Sequence, residues 1–357
     1  MLKKAAAVFI VCCSIATWMA CGSTSSHYVY AAVPAANQIL AYREDPNSGV
    51  LTPLAGSPFT TTSGAPQALV THPSKKFLYV ANSQESDISL FTIASSGALT
   101  EVTPRTSILP ATTPMLLTMD SAGAFLYAAD SGSDDVSVFS IDSSSGALTP
   151  ISGSPFPIGI IPISMKLSPS GNFLFVGGQG FPSGLVEVFT VGAGTLTPVG
   201  AFSTDGTNPY GLAVDSTGSH LYAANFGSNS IAEFTIGSNG ALTSVDVSEF
   251  GATLSAPVSL LIDPSGKFLY VANDTSSGTL VAYSIASDGS LTVVTSSPFG
   301  TGSQPNSLAF DPGGKYLLVG NQSNPAIQVF NFKSDGTLSS VAIYSTGNTP
   351  TSIATLQ

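Results

Sequence analysis

At 357 residues and 43% hydrophobic content, the chain can bury one large core or two ordinary ones. Only 9% of residues are charged, and 35 Gly and 24 Pro join abundant Ser and Thr, which leaves little room for helix and points to an all-β fold with many tight turns. The formal net charge of −11 excludes nucleic acid as a partner, because phosphate neutralisation needs a basic face.

The first segment reads as a leader. Lys3 and Lys4 precede the apolar run "AAAVFIVCCSIATWMA", too short for a comfortable transmembrane helix, and "CGSTSS" follows. "WMAC" is similar to a bacterial lipobox, with Trp18 where Leu is usual. Residues 1–21 are therefore expected to be a lipoprotein-type signal peptide with Cys21 as the lipidated residue, and residues 22–27 a short linker. The expectation is an exported, monomeric protein of the bacterial cell envelope whose membrane contact is the lipid anchor. Cys12, Cys13 and Cys21 are the only cysteines, so residues 28–357 have no disulfide or thiolate metal site available. Without Lys3 and Lys4, eight basic residues face 21 acidic ones.

From residue 28 onward one phrase recurs. It reads "YVYAA" (28–32), "FLYVAN" (77–82), "FLYAAD" (125–130), "FLFVGG" (173–178), "LYAAN" (221–225), "FLYVAN" (268–273) and "YLLVGN" (316–321). Gly-x-Leu-Thr/Ser falls at Gly49, Gly97, Gly146, Gly194, Gly240, Gly289 and Gly336. A proline opens an apolar alternation at Pro66, Pro114, Pro162, Pro209, Pro257, Pro305 and Pro350. Each unit reads as four strands: "PVSLLID", a "DPSGK" turn, "FLYVAN", a polar loop, "LVAYSI", an "SDG" turn and "LTVVT". Neither the double glycine of kelch repeats nor the Trp-Asp of WD repeats recurs as a signature of the units. The spacing predicts a seven-bladed β-propeller over residues 28–357, with four antiparallel strands per blade. The lone final strand, "PTSIATLQ", is expected to complete the blade that the first three strands begin, which removes two sheet edges. In the turns, Asp215, Asp263 and Asp311 read as structural carboxylates that accept backbone N–H groups.

Ligand candidates belong to the face carrying the loops between the second and third strands. Asn82, Asp130, Asn225, Asn273 and Asn321 recur where the second strand ends and are expected to form a broken ring of polar groups, although Asn and Asp also cap strand ends. On this face Glu85, Asp87, Asp130, Asp134, Asp135, Asp205, Glu249 and Asp274 are offset mainly by Arg105. That balance favours a small neutral or cationic ligand, a glycan or an envelope protein over an anion. Asp130, Asp134 and Asp135 are Ca²⁺ candidates, without the glycine and distal Glu of an EF-hand loop; no other cofactor is expected. Lys166 occupies a first-strand position held elsewhere by Val70, Thr118, Ala213, Leu261, Ala309 and Ala354, and is expected either to contact an anion in the channel or to snorkel to its exit. His27 falls at the edge of the domain, and His72 and His220 flank second-strand starts, so no catalytic histidine is expected.

"HPSKKFLYVAN", "DPSGKFLYVAN", "SSGALT" and "GSPF" resemble the seven-bladed lactonase propellers, a group that includes 6-phosphogluconolactonase and fungal muconate lactonising enzyme, and also the looser YVTN-type surface propellers. The resemblance implies the propeller fold and lactone hydrolysis. It also implies Pro-Arg-His opening a first strand, and a Glu just after the Asn that ends the next. Here Gln67, Met115, Ile163, Tyr210, Val258, Asn306 and Thr351 stand at the Arg position; Ala68, Leu116, Ser164, Gly211, Ser259, Ser307 and Ser352 at the His position. Ser83, Ser131, Gln179, Phe226, Asp274 and Gln322 stand at the Glu position, where Asp274 alone is acidic. The foremost expectation is thus a binding scaffold working through its loop face. The alternative is a lactone hydrolase with Asp274 as base, and a structural spacer is the third reading.

Overall fold

The computed structural model describes residues 26–62, 64–180, 182–245 and 254–357. Each copy of the phrase forms the second strand of an antiparallel sheet, and the described residues form seven such sheets. Blade 2 is typical: Pro66–Thr71, Phe77–Asn82, Asp87–Ile93 and Leu99–Ser107 lie side by side in chain order. Blades 3 to 7 open with first strands at Pro114–Met119, Ile161–Leu167, Pro209–Val214, Pro257–Ile262 and Pro305–Phe310. Each of these packs against the first strand of the next blade round a closed ring. The ring is sealed as expected: the last strand, Ser352–Leu356, pairs antiparallel with the first, His27–Val33, with Tyr28 opposite Leu356 and Ala32 opposite Ser352. Hydroxyls staple this seam. Thr71 Oγ1 donates to the Thr355 carbonyl (3.1 Å), Thr355 Oγ1 to that of Phe310 (2.9 Å) and Thr351 Oγ1 to that of Gln67 (2.8 Å).

The core is a circle of interfaces. Seven apolar clusters each lie between two neighbouring blades, because second and third strands are buried on both faces. Two markers in the sequence meet there. Tyr30, Tyr79, Tyr222 and Tyr270 donate their buried hydroxyls to the carbonyls of Gly97, Gly146, Gly289 and Gly336, the turn glycines of the following blade. All seven turn glycines press against a ring from the preceding blade: a Cβ on Gly146 would lie under 3.0 Å from Phe77, and one on Gly49 under 3.0 Å from Tyr316 of blade 7. The phrase and the turn recur together because they are two halves of one contact.

The aspartate turns form as expected, with a longer reach. Asp263 Oδ1 accepts the N–H groups of Lys267 (2.8 Å) and Phe268 (2.6 Å), while Oδ2 accepts those of Ser265 (backbone N–H 2.8 Å, Oγ 2.5 Å). The fourth strand departs from expectation in blades 1, 3 and 6, where it stops after three residues and resumes as a two-residue strand. The "SPF" segment causes the break. Ser57, Ser154 and Ser297 turn their Oγ atoms inward to accept the N–H of Ala41, Val138 and Ala282 at 2.9, 2.8 and 2.9 Å, standing in for the missing ladder carbonyl.

Candidate functional site at the channel mouth

The proline that opens a first strand is followed by a β-bulge. In blade 2, Pro66 pairs with Asn82 and Ala68 with Ala81, so Gln67 has no ladder partner. The same shift leaves Met115, Ile163, Tyr210, Val258 and Asn306 unpaired in blades 3 to 7. A bulge re-aims its extra side chain, and all six remain partly open, with Tyr210 the most exposed at 39%. They ring the mouth of the channel on the loop face.

A second ring is fixed beside the first by the backbone. The residue before the proline is left-handed in five blades, with φ of 56° at Ala65, 58° at Thr113, 57° at Asn208, 50° at Ala256 and 55° at Gln304. Each of their carbonyls accepts the N–H that follows the second strand, from Ser83, Ser131, Phe226, Asp274 and Gln322, at 2.8 to 3.1 Å. Five non-glycine residues held in this sparsely populated region at equivalent positions mark the mouth as over-determined by its surroundings.

Chemistry concentrates between blades 5 and 7. Tyr210 and Phe226 make an edge-to-face pair with centroids 5.1 Å apart. On the next blade Asp274 is half-buried, its Oδ1 is buried without a partner, and burial raises its pKa above the ordinary carboxylate value against the lowering effect of a hydrogen bond from Gln304. Gln304 also accepts a hydrogen bond from Ser323, and its backbone N–H reaches the Thr275 carbonyl at 2.9 Å, so blade 7 buttresses the Asp274 loop. Asn306 donates Nδ2 to the Pro350 carbonyl (2.8 Å) and keeps a buried, unpartnered Oδ1. The arrangement offers one carboxylate poised upward in pKa, several amides and an aromatic edge: a proton acceptor amid groups that recognise hydroxyls.

The other candidates lie elsewhere. Asn82, Asp130, Asn225, Asn273 and Asn321 are each 0 to 1% exposed, so they form no open ring. Asn82 and Asn273 turn to the adjacent third strand, Asn82 Nδ2 donating to Asp87 Oδ1 (2.8 Å) and Ser89 Oγ (2.9 Å) and Asn273 Nδ2 to Thr279 Oγ1 (3.1 Å), while Asn225 Nδ2 donates to the Thr204 carbonyl (3.2 Å) and Asn321 is buried with neither side-chain atom hydrogen-bonded. Arg105 sits on a fourth strand, away from the mouth, where its Nη1 is tied to Asp87 Oδ2 at 2.9 Å. Lys166, on a first strand, is open to water yet closely surrounded by protein, and this enclosure lowers its pKa. Of the calcium candidates, Asp130 and Asp135 meet as a directly opposed cross-strand pair, whereas Asp134 points away in an exposed left-handed turn. Desolvation, then the neighbouring Asp135, pushes the Asp130 pKa up to about 8, so with no ion between them the two carboxyls share a proton. Cys21 and Glu249 lie outside the described residues.

The histidines behave differently from one another. His72 Nε2 lies 2.9 Å from the Gly123 carbonyl, joining the turns of blades 2 and 3, and His220 Nδ1 lies 3.2 Å from Asp215 Oδ2 at the end of its own turn. His27, expected at the domain edge, is instead part of the first strand and 4% exposed. Its ring meets Glu44 and Asp311, a contact that spans the seam and was not foreseen.

A ring of seven four-stranded blades with a polar mouth defines the class, and the sequence names the family. Residues 4–114, 58–161, 108–211, 161–258 and 246–355 match the lactonase family of seven-bladed β-propellers, and the chain belongs to it. Among solved structures it is similar to a candidate 6-phosphogluconolactonase of Bacteroides fragilis, at 20% identity and a TM-score of 0.80 over 94% of this chain and 99% of that one. It is also similar to the periplasmic gluconolactonase of Pseudomonas aeruginosa, at 19% identity and 0.74 over 93% and 99%. A Lactobacillus plantarum protein aligns at 20% identity and 0.77 over the same shares. No curated protein matches the sequence.

Proposed function

We propose that the protein hydrolyses an unphosphorylated sugar lactone at the loop-face mouth, with Asp274 as general base. The observation that carries this reading is Asp274 itself: a half-buried carboxylate of raised pKa with one buried oxygen left without a hydrogen bond, at the mouth of a lactonase-family propeller. Its carboxylate takes a proton from a water that attacks the lactone carbonyl. The carbonyl oxygen gains negative charge, for which the Gln304 amide, hydrogen-bonded to Asp274, and the amide of Gln322 are the donors offered, and the ring oxygen leaves with the proton that Asp274 returns. The absence of Arg from the seven positions after the prolines, together with the acidic loop face, disfavours a phosphorylated substrate. The leader-like residues 1–21 support action outside the cytoplasm, and the names of two structural neighbours, a 6-phosphogluconolactonase candidate and a periplasmic gluconolactonase, support lactones as the substrate class.

A second reading rests on the Tyr210 and Phe226 pair. An exposed aromatic edge among amides also suits carbohydrate binding without turnover. Purified protein assayed against phosphorylated and unphosphorylated aldonolactones separates the two. The hydrolase reading expects turnover of an unphosphorylated lactone that falls at least about 100-fold in Asp274→Asn. Wild-type rates in that variant overturn the assignment of Asp274, and saccharide-induced thermal stabilisation without turnover of any lactone replaces hydrolysis with binding.

A further inference from the structure

Glu44 is out of place. It ends the third strand of blade 1, at the position that Ile93, Ile141, Val191, Ile236, Ile285 and Phe332 hold in the other six blades. Six apolar counterparts show that the site packs well without a charge. Yet Glu44 is 1% exposed, and neither of its carboxylate oxygens has a hydrogen-bond partner. A buried carboxylate without partners is costly.

Two more departures from the repeat converge on it. His27 stands where the other blades carry Lys76, Ala124, Asn172, Ser219, Lys267 and Lys315, and it is buried with Nδ1 unpartnered. Asp311 belongs to the blade 7 turn. In the sister turns a hydroxyl two residues on occupies Oδ2, from Thr217 on Asp215 (2.6 Å) and Ser265 on Asp263 (2.5 Å). Blade 7 has Gly313 there, which offers only its backbone N–H to Oδ2 at 2.9 Å and leaves that face of the oxygen open to His27.

We propose that His27 Nδ1, Glu44 and Asp311 Oδ2 bind a divalent first-row transition metal, best matched by Zn²⁺, that staples the first blade to the last. His27 Nδ1 lies 3.5 Å from Glu44 Oε2 and 3.5 Å from Asp311 Oδ2, without hydrogen-bond alignment to either, and the three donor atoms fall within 4.8 Å of one another. Donors about 2.1 Å from a tetrahedral Zn²⁺ stand about 3.4 Å apart, so two edges of the polyhedron are already in place. One imidazole and two carboxylates form a borderline donor set that suits Zn²⁺ or its first-row neighbours, whereas Ca²⁺ requires six or more oxygens. The three donor side chains are 5%, 0% and 1% exposed, the enclosure of a structural rather than a catalytic site, and a surface pocket of about 300 Å³ lined in part by Glu44 lies beside them.

The test uses the whole propeller, stripped with EDTA and titrated with Zn²⁺ by calorimetry near neutral pH, with a thermal melt alongside. Wild type should bind one equivalent and melt about 3 °C or more higher with excess Zn²⁺ than with EDTA. Glu44→Ile restores the repeat's own residue and His27→Lys the residue of blades 2, 6 and 7, so both should fold. Each should lose the Zn²⁺ equivalent and the thermal response, and metal-free Glu44→Ile should melt no lower than wild type. Absence of stoichiometric binding by wild type, unchanged binding by either variant, or an equal response to Ca²⁺ would overturn the proposal.

Discussion

Asp130→Asn should stabilise the protein, and more so as the pH rises. Blades 2, 5, 6 and 7 carry Asn at this position, and blade 2 shows what the substitution would build: Asn82 Nδ2 donates to Asp87 Oδ1 at 2.8 Å, opposite it on the neighbouring strand, as Asp135 lies opposite Asp130. In blade 3 both partners are carboxyls, 0% and 8% exposed, and each keeps an unpartnered Oδ1. The Asp130 pKa rises from 3.8 in its unperturbed state to about 8 in the fold, through burial first and Asp135 second. A carboxyl raised in this way contributes stability that is fully present below the unfolded value and is lost as pH climbs through the folded one. Each pH unit inside that window is worth about 1.4 kcal/mol. The stability difference between variant and wild type should therefore grow by about 2.5 kcal/mol between roughly pH 5.5 and 7.5, and level off above about 8. Urea unfolding followed by tryptophan-independent circular dichroism at several pH values reads this directly. A difference that stays constant across the window, or one that shrinks as pH rises, would refute the shared-proton account.

Three other perturbations probe the contacts between and within blades. Tyr270→Phe deletes the hydroxyl that donates to the buried Gly336 carbonyl at 2.8 Å and should cost about 1 to 2 kcal/mol in urea unfolding, with no loss in a variant at exposed Val293. Gly146→Ala meets two obstacles, a φ of 74° and the Phe77 ring, and should lower stability by roughly 1 to 3 kcal/mol, most of which Phe77→Leu in the same chain should recover if the clash dominates. Ser154→Ala removes the acceptor for the Val138 N–H at 2.8 Å; a loss of about 1 kcal/mol and faster exchange of that amide than in wild type are expected.

The ring and its closure were legible because three markers recur at nearly fixed spacing and the terminal strands complement each other. What the sequence hid was the use of each position. The Asn column looked like a ligand ring because its polarity recurs, but recurrence here reflects loops folded over strand ends, as Asn225 beneath Gly206 shows. Arg105 read as a free cation because its partner Asp87 reaches it only through pairing of third and fourth strands. Asp274 was legible from its offset after the second strand, whereas the bulge that turns Tyr210 and Asn306 toward the mouth leaves no mark in composition. His27 and Asp311 are 284 residues apart, so no local pattern joins them, although a column of Ile, Val and Phe broken once by Glu44 is a signal that alignment of the seven units would expose.

A crystal structure of the protein soaked with an aldonate, the product of sugar-lactone hydrolysis, tests the functional account most directly. The account expects the ligand at the loop-face mouth, with its carboxyl carbon within hydrogen-bonding reach of Asp274 through a water and with Gln304 or Gln322 on its oxygens. An aldonate bound away from the mouth, or bound there with Asp274 turned from it, would contradict that account.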